Sequence, residues 1–216
     1  MSSILLALRQ QAGCHAPPVA HLVIVRPQTY RMKSTLSVLL LAGLFSYANA
    51  ANPKQEFNDP AGDRWWQVSP EDFMPAFDAT KLTIERLEPG VLRFTFTMAA
   101  PIPADLPNEA VMFRLYLDLD RDIKTGQDWS LVGKHIGSDL AVDLMWYNGK
   151  WIIMPEELTK QVTHEIKGNT VTITITDPRF AKIERFNMFA WVNGLKGNMD
   201  VLPNEGFYEV SLPIKP

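Results

Sequence analysis

The sequence predicts an all-β protein, a single antiparallel β-sandwich of jelly-roll or immunoglobulin-like type with about nine strands. Three observations carry this. Apolar and polar residues alternate along short segments, as where Leu92, Phe94, Phe96 and Met98 are interleaved with Arg93, Thr95 and Thr97. Tight turns separate such segments, at Glu88-Pro89-Gly90, Asn148-Gly149 and Lys167-Gly168-Asn169, where Gly and Asn accept the backbone angles that hairpins need. No stretch sustains an apolar stripe at the 3.6-residue helical period. Two sheets that are each apolar on one face can bury those faces against each other.

The first fifty residues stand apart from this pattern. Residues 1–31 carry no Asp or Glu and no apolar periodicity, and read as an over-extended start rather than a domain. Residues 32–50 form a signal peptide: Lys33 follows Met32, Leu36 to Phe45 is mostly apolar, and Ala48-Asn49-Ala50 is an A-x-A cleavage site. The apolar run falls short of the roughly 20 residues that span a bilayer. The expected product is exported, periplasmic or secreted, starts at Ala51, and has no transmembrane anchor after processing. The only cysteine, Cys14, precedes the cleavage site, so no intramolecular disulfide and no lipid-modified N-terminal cysteine is expected.

Processing also shifts the charge. Four of the 21 basic residues precede Ala51 and none of the 24 acidic ones does, which leaves 17 against 24 and a net charge of about −7. Nucleic-acid binders depend on clustered Lys and Arg, so nucleic acid is excluded as the expected partner.

Within residues 51–80 the reading is an irregular lead-in packed on the domain, with Pro70 and Pro75 breaking it and Trp65, Trp66, Phe73 and Phe77 too apolar for a free tail. The sandwich occupies residues 81–216. Its strands are read at 81–87, 92–98, 111–119, 140–146, 151–154, 161–166, 170–176, 186–192 and 207–212. Residues 155–160 and 177–183 can form a helical turn or two. Alternation assigns Phe94, Phe96, Trp146 and Trp191 to the core.

The chemistry concentrates in acidic turns. Leu115 to Leu119 runs into Asp118, Asp120 and Asp122, then Thr125-Gly126, and Gly137-Ser138-Asp139 opens the next strand. Carboxylates this close repel one another unless a cation sits among them, and calcium takes its oxygen ligands from Asp, Asn, carbonyls and water. The loop is not an EF-hand, which needs Gly and Glu where Ile123 and Trp129 stand. Asp59 and Asp63 flank Gly62, Asp78 precedes the first sandwich strand, and Asp200 precedes Pro203-Asn204-Glu205-Gly206. Loops gather at the ends of a sandwich, so several of these acids can meet. The metal candidates are thus Asp59, Asp63, Asp78, Asp118, Asp120, Asp122, Asp139 and Asp200.

In their order along the chain, these motifs resemble exported bacterial β-sandwich modules related to the DOMON and family 9 carbohydrate-binding domains. The resemblance runs through Asp59-Pro60-Ala61-Gly62-Asp63, Phe77-Asp78, Leu117-Asp118-Leu119-Asp120, Gly137-Ser138-Asp139 and Asp200 with Pro203 and Gly206. It implies structural calcium and a ligand-binding rather than catalytic role. Some DOMON relatives bind haem through a Met and a His. Here Met112, Met145, Met188 and His135 are available, and no Met can be placed opposite that His from sequence.

For carbohydrate or another small extracytoplasmic ligand, the aromatic candidates are Trp65, Trp66, Trp129 and Trp151, which lie in loops or beside turns. Two alternatives stay open. One is a secreted hydrolase acting on glycans through a carboxylate pair, although no Ser-His-Asp set, nucleophilic cysteine or H-E-x-x-H motif accompanies it. The other is a calcium-ordered surface module whose partner is a protein. Oligomeric state is not legible in the sequence.

Overall fold

The structure is a computed structural model that describes residues 51–63, 69–107 and 111–214. Residues 1–50, Trp65 and Trp66 therefore lie outside the described residues. Thirteen strands are present among the described residues: β1 (Lys54–Asn58), β2 (Ala79–Glu88), β3 (Val91–Met98), β4 (Val111–Asp118), β5 (Gln127–Trp129), β6 (Lys134–Ser138), β7 (Leu140–Tyr147), β8 (Lys150–Met154), β9 (Val162–Lys167), β10 (Thr170–Thr176), β11 (Arg185–Asn193), β12 (Met199–Leu202) and β13 (Tyr208–Ser211). Among the described residues, helical structure is confined to short 3-10 turns, among them Pro75–Phe77 and Pro178–Ala181.

All strand pairs among the described residues are antiparallel. One sheet has the order β1-β2-β3-β10-β9 and the other β12-β11-β4-β7-β8, with β13 also pairing β11 and a small β5-β6 ribbon beside them. The nine expected strands are all found. Four were not expected: β1, β5, β6 and β12. They are short or lack clean alternation, so their sequences carry no period-two signal. β1 corrects the irregular lead-in, since Lys54 to Asn58 pair in register with Glu85 to Lys81 of β2.

The alternating faces meet as expected. Leu82, Ile84, Phe94, Phe96, Val171 and Ile173 from the first sheet and Phe113, Leu115, Val142, Leu144, Met188 and Val192 from the second form one buried cluster. Register places Phe94 between Ile84 and Ile173. Trp191 corrects the expected core, because Ala190 and Val192 point inward and Trp191 stands on the opposite face of the same strand. There it joins a second cluster, in which Tyr116, Phe189 and Val201 from the sheet are covered by Ile136 and Trp129 of the β5-β6 ribbon. Trp146 is half-buried, packed at the border of the main core.

Arg86 is a buried cation that ties elements of the fold together. It is 3% exposed and donates Nη1 to Phe180 O at 2.6 Å, Nη2 to Ile183 O at 2.6 Å and Nε to Leu212 O at 3.3 Å. One side chain thus ties β2 to the turn before β11 and to the end of β13. Arg86→Met keeps the apolar stem but leaves three carbonyls without their donor. The expected loss is about 2 kcal/mol in urea unfolding, the scale of unsatisfied buried acceptors. An unchanged midpoint would mean that water replaces the guanidinium freely.

Candidate metal centre

Two groups of carboxylates converge, and they differ in what already holds them. In the first, Asp59, Asp63 and Asp200 bring ligand atoms within 4.8 Å of one another. Asp59 follows β1, Asp63 ends the same turn, and Asp200 lies on β12, which pairs β11 at Val192. Asp78 adjoins them: its Oδ2 accepts from Gly62 N at 2.9 Å, which fixes the turn between Asp59 and Asp63. Asp200 Oδ2 accepts from Ala79 N at 2.8 Å, and Asn204 Nδ2 donates to Asp63 Oδ2.

Burial is what sets this group apart. Asp200 is 1% exposed and Asp59 9%. Asp200 Oδ1, Asp59 Oδ2 and Asp63 Oδ1 are buried oxygens without a hydrogen-bond partner. The Tyr208 hydroxyl is likewise buried and unpartnered, on a ring stacked at 4.1 Å against Phe57 of β1. Native proteins rarely leave several buried acceptors unsatisfied together. Burial, with the Asp63 and Asp78 charges adding to it, pushes the Asp59 carboxyl up to about 7. Burial, then the charges of Asp59, Asp78 and Asp63, pushes Asp200 up to about 8 against the opposing Ala79 N–H. The Tyr208 hydroxyl is raised too, by burial and then by Asp59, Asp200 and Asp63.

The second group is Asp118, Asp120 and Asp139, again within 4.8 Å. Here many of the oxygens are engaged by the loop itself. Asp139 Oδ2 accepts from Leu119 N at 2.8 Å and Asp120 N at 3.3 Å. Asp118 Oδ1 accepts from Arg121 N at 2.7 Å and its Oδ2 from Asn187 Nδ2 at 3.1 Å. Asp120 accepts from Asp122 N and from the Thr125 hydroxyl, which together hold its carboxyl below the ordinary range. Asp118 alone of the three is deeply buried, and burial raises it despite its donors. Asp122 stands outside this group, with Oδ1 accepting from Lys124 N at 3.0 Å.

The glycines of this loop are there for space. A Cβ on Gly137 would fall 2.0 Å from Thr125 O, and one on Gly126, at φ +64°, 2.4 Å from Ser138 O. The Asp118 to Asp139 loop is therefore closed by backbone contact, whether or not an ion joins it.

The remaining sequence candidates fall as follows. Trp129 is half-buried in the second aromatic cluster, 4.5 Å from Tyr116, and is packed as a cover rather than offered as a platform. Trp151 is half-buried beside Trp146 at 5.5 Å and Phe113 at 6.0 Å, and lines an open cleft. Met188 is sealed in the core while His135 is exposed near Asn204 and Glu205. Sequence reasoning missed Asn204 and Tyr208 as neighbours of the first acidic group. Nothing local marks them, because their proximity to residues 59–63 depends on β1 and β13 lying side by side.

No family model matches the chain, and no curated protein matches its sequence.

The raised carboxyls give cation-free stability a definite pH dependence. Asp59 and Asp200 titrate in the fold at about 7 and about 8 against an ordinary 3.8, so the fold favours their protonated forms. That contribution is fully present below about pH 4 and is lost as pH rises through about 7 to 8. Lys134, lowered by burial to about 8, changes protonation only near and above that value. Protein in chelator should melt lower at about pH 7.5 than at about pH 5. Desolvation lowers His164, which opposes this trend below about pH 6.5, so the comparison is made on His164→Gln, where a melting temperature that is flat or rises across the window would show that these carboxyls ionise at no cost.

Proposed function

We propose that this protein is an exported β-sandwich binding module that holds calcium in its acidic loops and recognises a carbohydrate or another extracytoplasmic ligand, as the DOMON-related modules it resembles do. The observation that carries the reading is the convergence of Asp59, Asp63 and Asp200 with unpartnered buried oxygens. Three carboxylates this close, two of them buried, do not all stay ionised without a positive charge among them, and the buried Lys134 ammonium, whose charge acts on Asp59, is itself disfavoured by burial. The donor set is all oxygen, with no Cys or His in the group. That suits a hard cation, and calcium accepts the irregular geometry of loop carboxylates more readily than magnesium, which demands an octahedron and keeps its waters. Zinc favours nitrogen and sulfur ligands.

The Asp118-Asp120-Asp139 group supports a second and weaker calcium site. Backbone donors already compensate its carboxylates, so an ion gains less there.

Titration calorimetry of residues 51–216 tests the calcium reading. Calcium binding should release protons near pH 7.5, because the raised carboxyls must ionise to become ligands. The heat then depends on the ionisation enthalpy of the buffer. Calcium that gives no heat at millimolar concentration in any buffer sinks this reading.

A further inference from the structure

A sandwich of two sheets has two long sides where edge strands face outward, and in this protein they are finished differently. On one side β1 and β13 are laced together. Gln55 Nε2 donates to Glu209 O at 3.2 Å, Ser211 N donates to Gln55 Oε1 at 2.8 Å, and Phe57 stacks on Tyr208. On the other side stand β8 and β9, each paired on one flank only. Among the described residues no hydrogen bond joins these two strands. A cleft of about 480 Å³ opens there instead, within the range of about 300–1,000 Å³ typical of small-molecule sites.

Its lining is mixed in a particular way. Ile153 and Val162 form a buried apolar floor, 7% and 4% exposed. Trp151 forms a wall and is held in place by the edge-on Trp146 ring and by Phe113. Lys150, Glu156, Thr159 and His164 also line the cleft. Those four bring one cation, one anion, a hydroxyl and an imidazole whose charged form burial disfavours. The cleft thus has no net charge, a fixed indole and many hydrogen-bonding groups. A ligand of either charge would meet a like charge, Lys150 or Glu156, beside its counter-charge, and a purely apolar one would leave the polar groups unpaired. A sugar ring offers apolar C–H faces to the indole and hydroxyls to the polar groups.

The cleft also continues. His164 borders a second groove of about 390 Å³ on the outer face of the five-stranded sheet, lined by Thr95, Thr163, Thr172, Thr174, Arg93 and Glu165. Arg93 is already engaged by Glu85 at 3.2 Å. The groove therefore presents four threonine hydroxyls and the Glu165 carboxylate, hydrogen-bonding groups that suit further units of a polyhydroxylated chain.

We infer that the β8-β9 cleft is a saccharide site for an uncharged oligosaccharide, with one ring stacked on Trp151 and the chain continuing past His164 along the threonine-lined groove. This rests on the carbohydrate part of the function proposed above and is independent of the calcium part.

The test is binding of residues 51–216 to neutral oligosaccharides of glucose, xylose, mannose and N-acetylglucosamine, read by calorimetry and tryptophan fluorescence. Wild type should bind at least one, with a fluorescence change. Trp151→Ala should weaken that binding by about tenfold or more, the scale of one lost aromatic contact. Because Trp151 also packs on Phe113, His164→Ala and Thr159→Ala accompany it as variants at the open cleft. They should bind more weakly while melting like wild type. Wild type that binds while all three variants bind equally well overturns the cleft and leaves the carbohydrate reading standing. Wild type that binds none of these sugars overturns both.

Discussion

Removing calcium from residues 51–216 with a chelator is expected to lower the melting temperature by about 5–10 °C. An ion that binds the folded state alone stabilises it by RT ln(1 + [L]/Kd), about 2.7 kcal/mol at a hundredfold excess over Kd. For a domain of this size each kcal/mol moves the transition by about 2–4 °C. The effect should come chiefly from the buried group, since Asp59 and Asp200 have oxygens with no other partner while the Asp118 loop is already closed by its own backbone donors. Asp200→Asn separates the two sites. It is isosteric, and its Oδ1 can still accept from Ala79 N, so the packing is kept. It removes a buried acid, and the variant should melt at or above the chelated wild type yet gain little from calcium. Asp120→Ala should retain most of the calcium response. Wild type that melts identically in calcium and chelator would show that neither acidic group holds an ion.

The second large effect is in the core. Phe94→Ala should cost about 3–5 kcal/mol in urea unfolding, as expected for a large aromatic ring removed from a closed interior. Phe94 is 0% exposed, and its strand neighbours in register are Ile84 and Ile173. Their positions are fixed by two ladders, so the sheet cannot close over the void, and the cavity term is added to the lost transfer energy. Trp191→Ala, on the opposite face of the other sheet, should cost less, because the ring is only half-buried and its Nε1 has no partner to lose. A loss under about 1 kcal/mol at Phe94 would mean that the interior relaxes around the vacancy as few cores do.

Much of the fold was legible because its signal is local. The two-residue alternation in Leu92 to Met98 and in Thr170 to Thr176 fixes which side chains share a face, whatever the strand later pairs with. Glu88-Pro89-Gly90 and Asn148-Gly149 mark two hairpins in the same local way. The sequence therefore determined the fold class, the nine principal strands and most of the core. It also offered as candidates all six acids that meet among the described residues, since each stands in or near a turn or a strand end.

The tertiary structure alone decided which acids meet, and how strongly they need an ion. The Asp118-Asp120-Asp122 run is the conspicuous one in sequence, yet its alternate spacing belongs to a turn whose own N–H groups satisfy much of it, and Asp122 faces elsewhere. Asp59 and Asp200 are inconspicuous and far apart in the chain, and they come together because β1 lies at one edge of its sheet and β12 at the edge of the other. Trp191 fell on the wrong side for a related reason: alternation tells two faces apart but cannot tell which faces the other sheet when a β5-β6 ribbon makes both apolar. Local sequence sets the geometry of each strand. Strand order, a property of distant pairings, sets which groups lose their water together, and burial without a partner is what turns an ordinary aspartate into a candidate ligand.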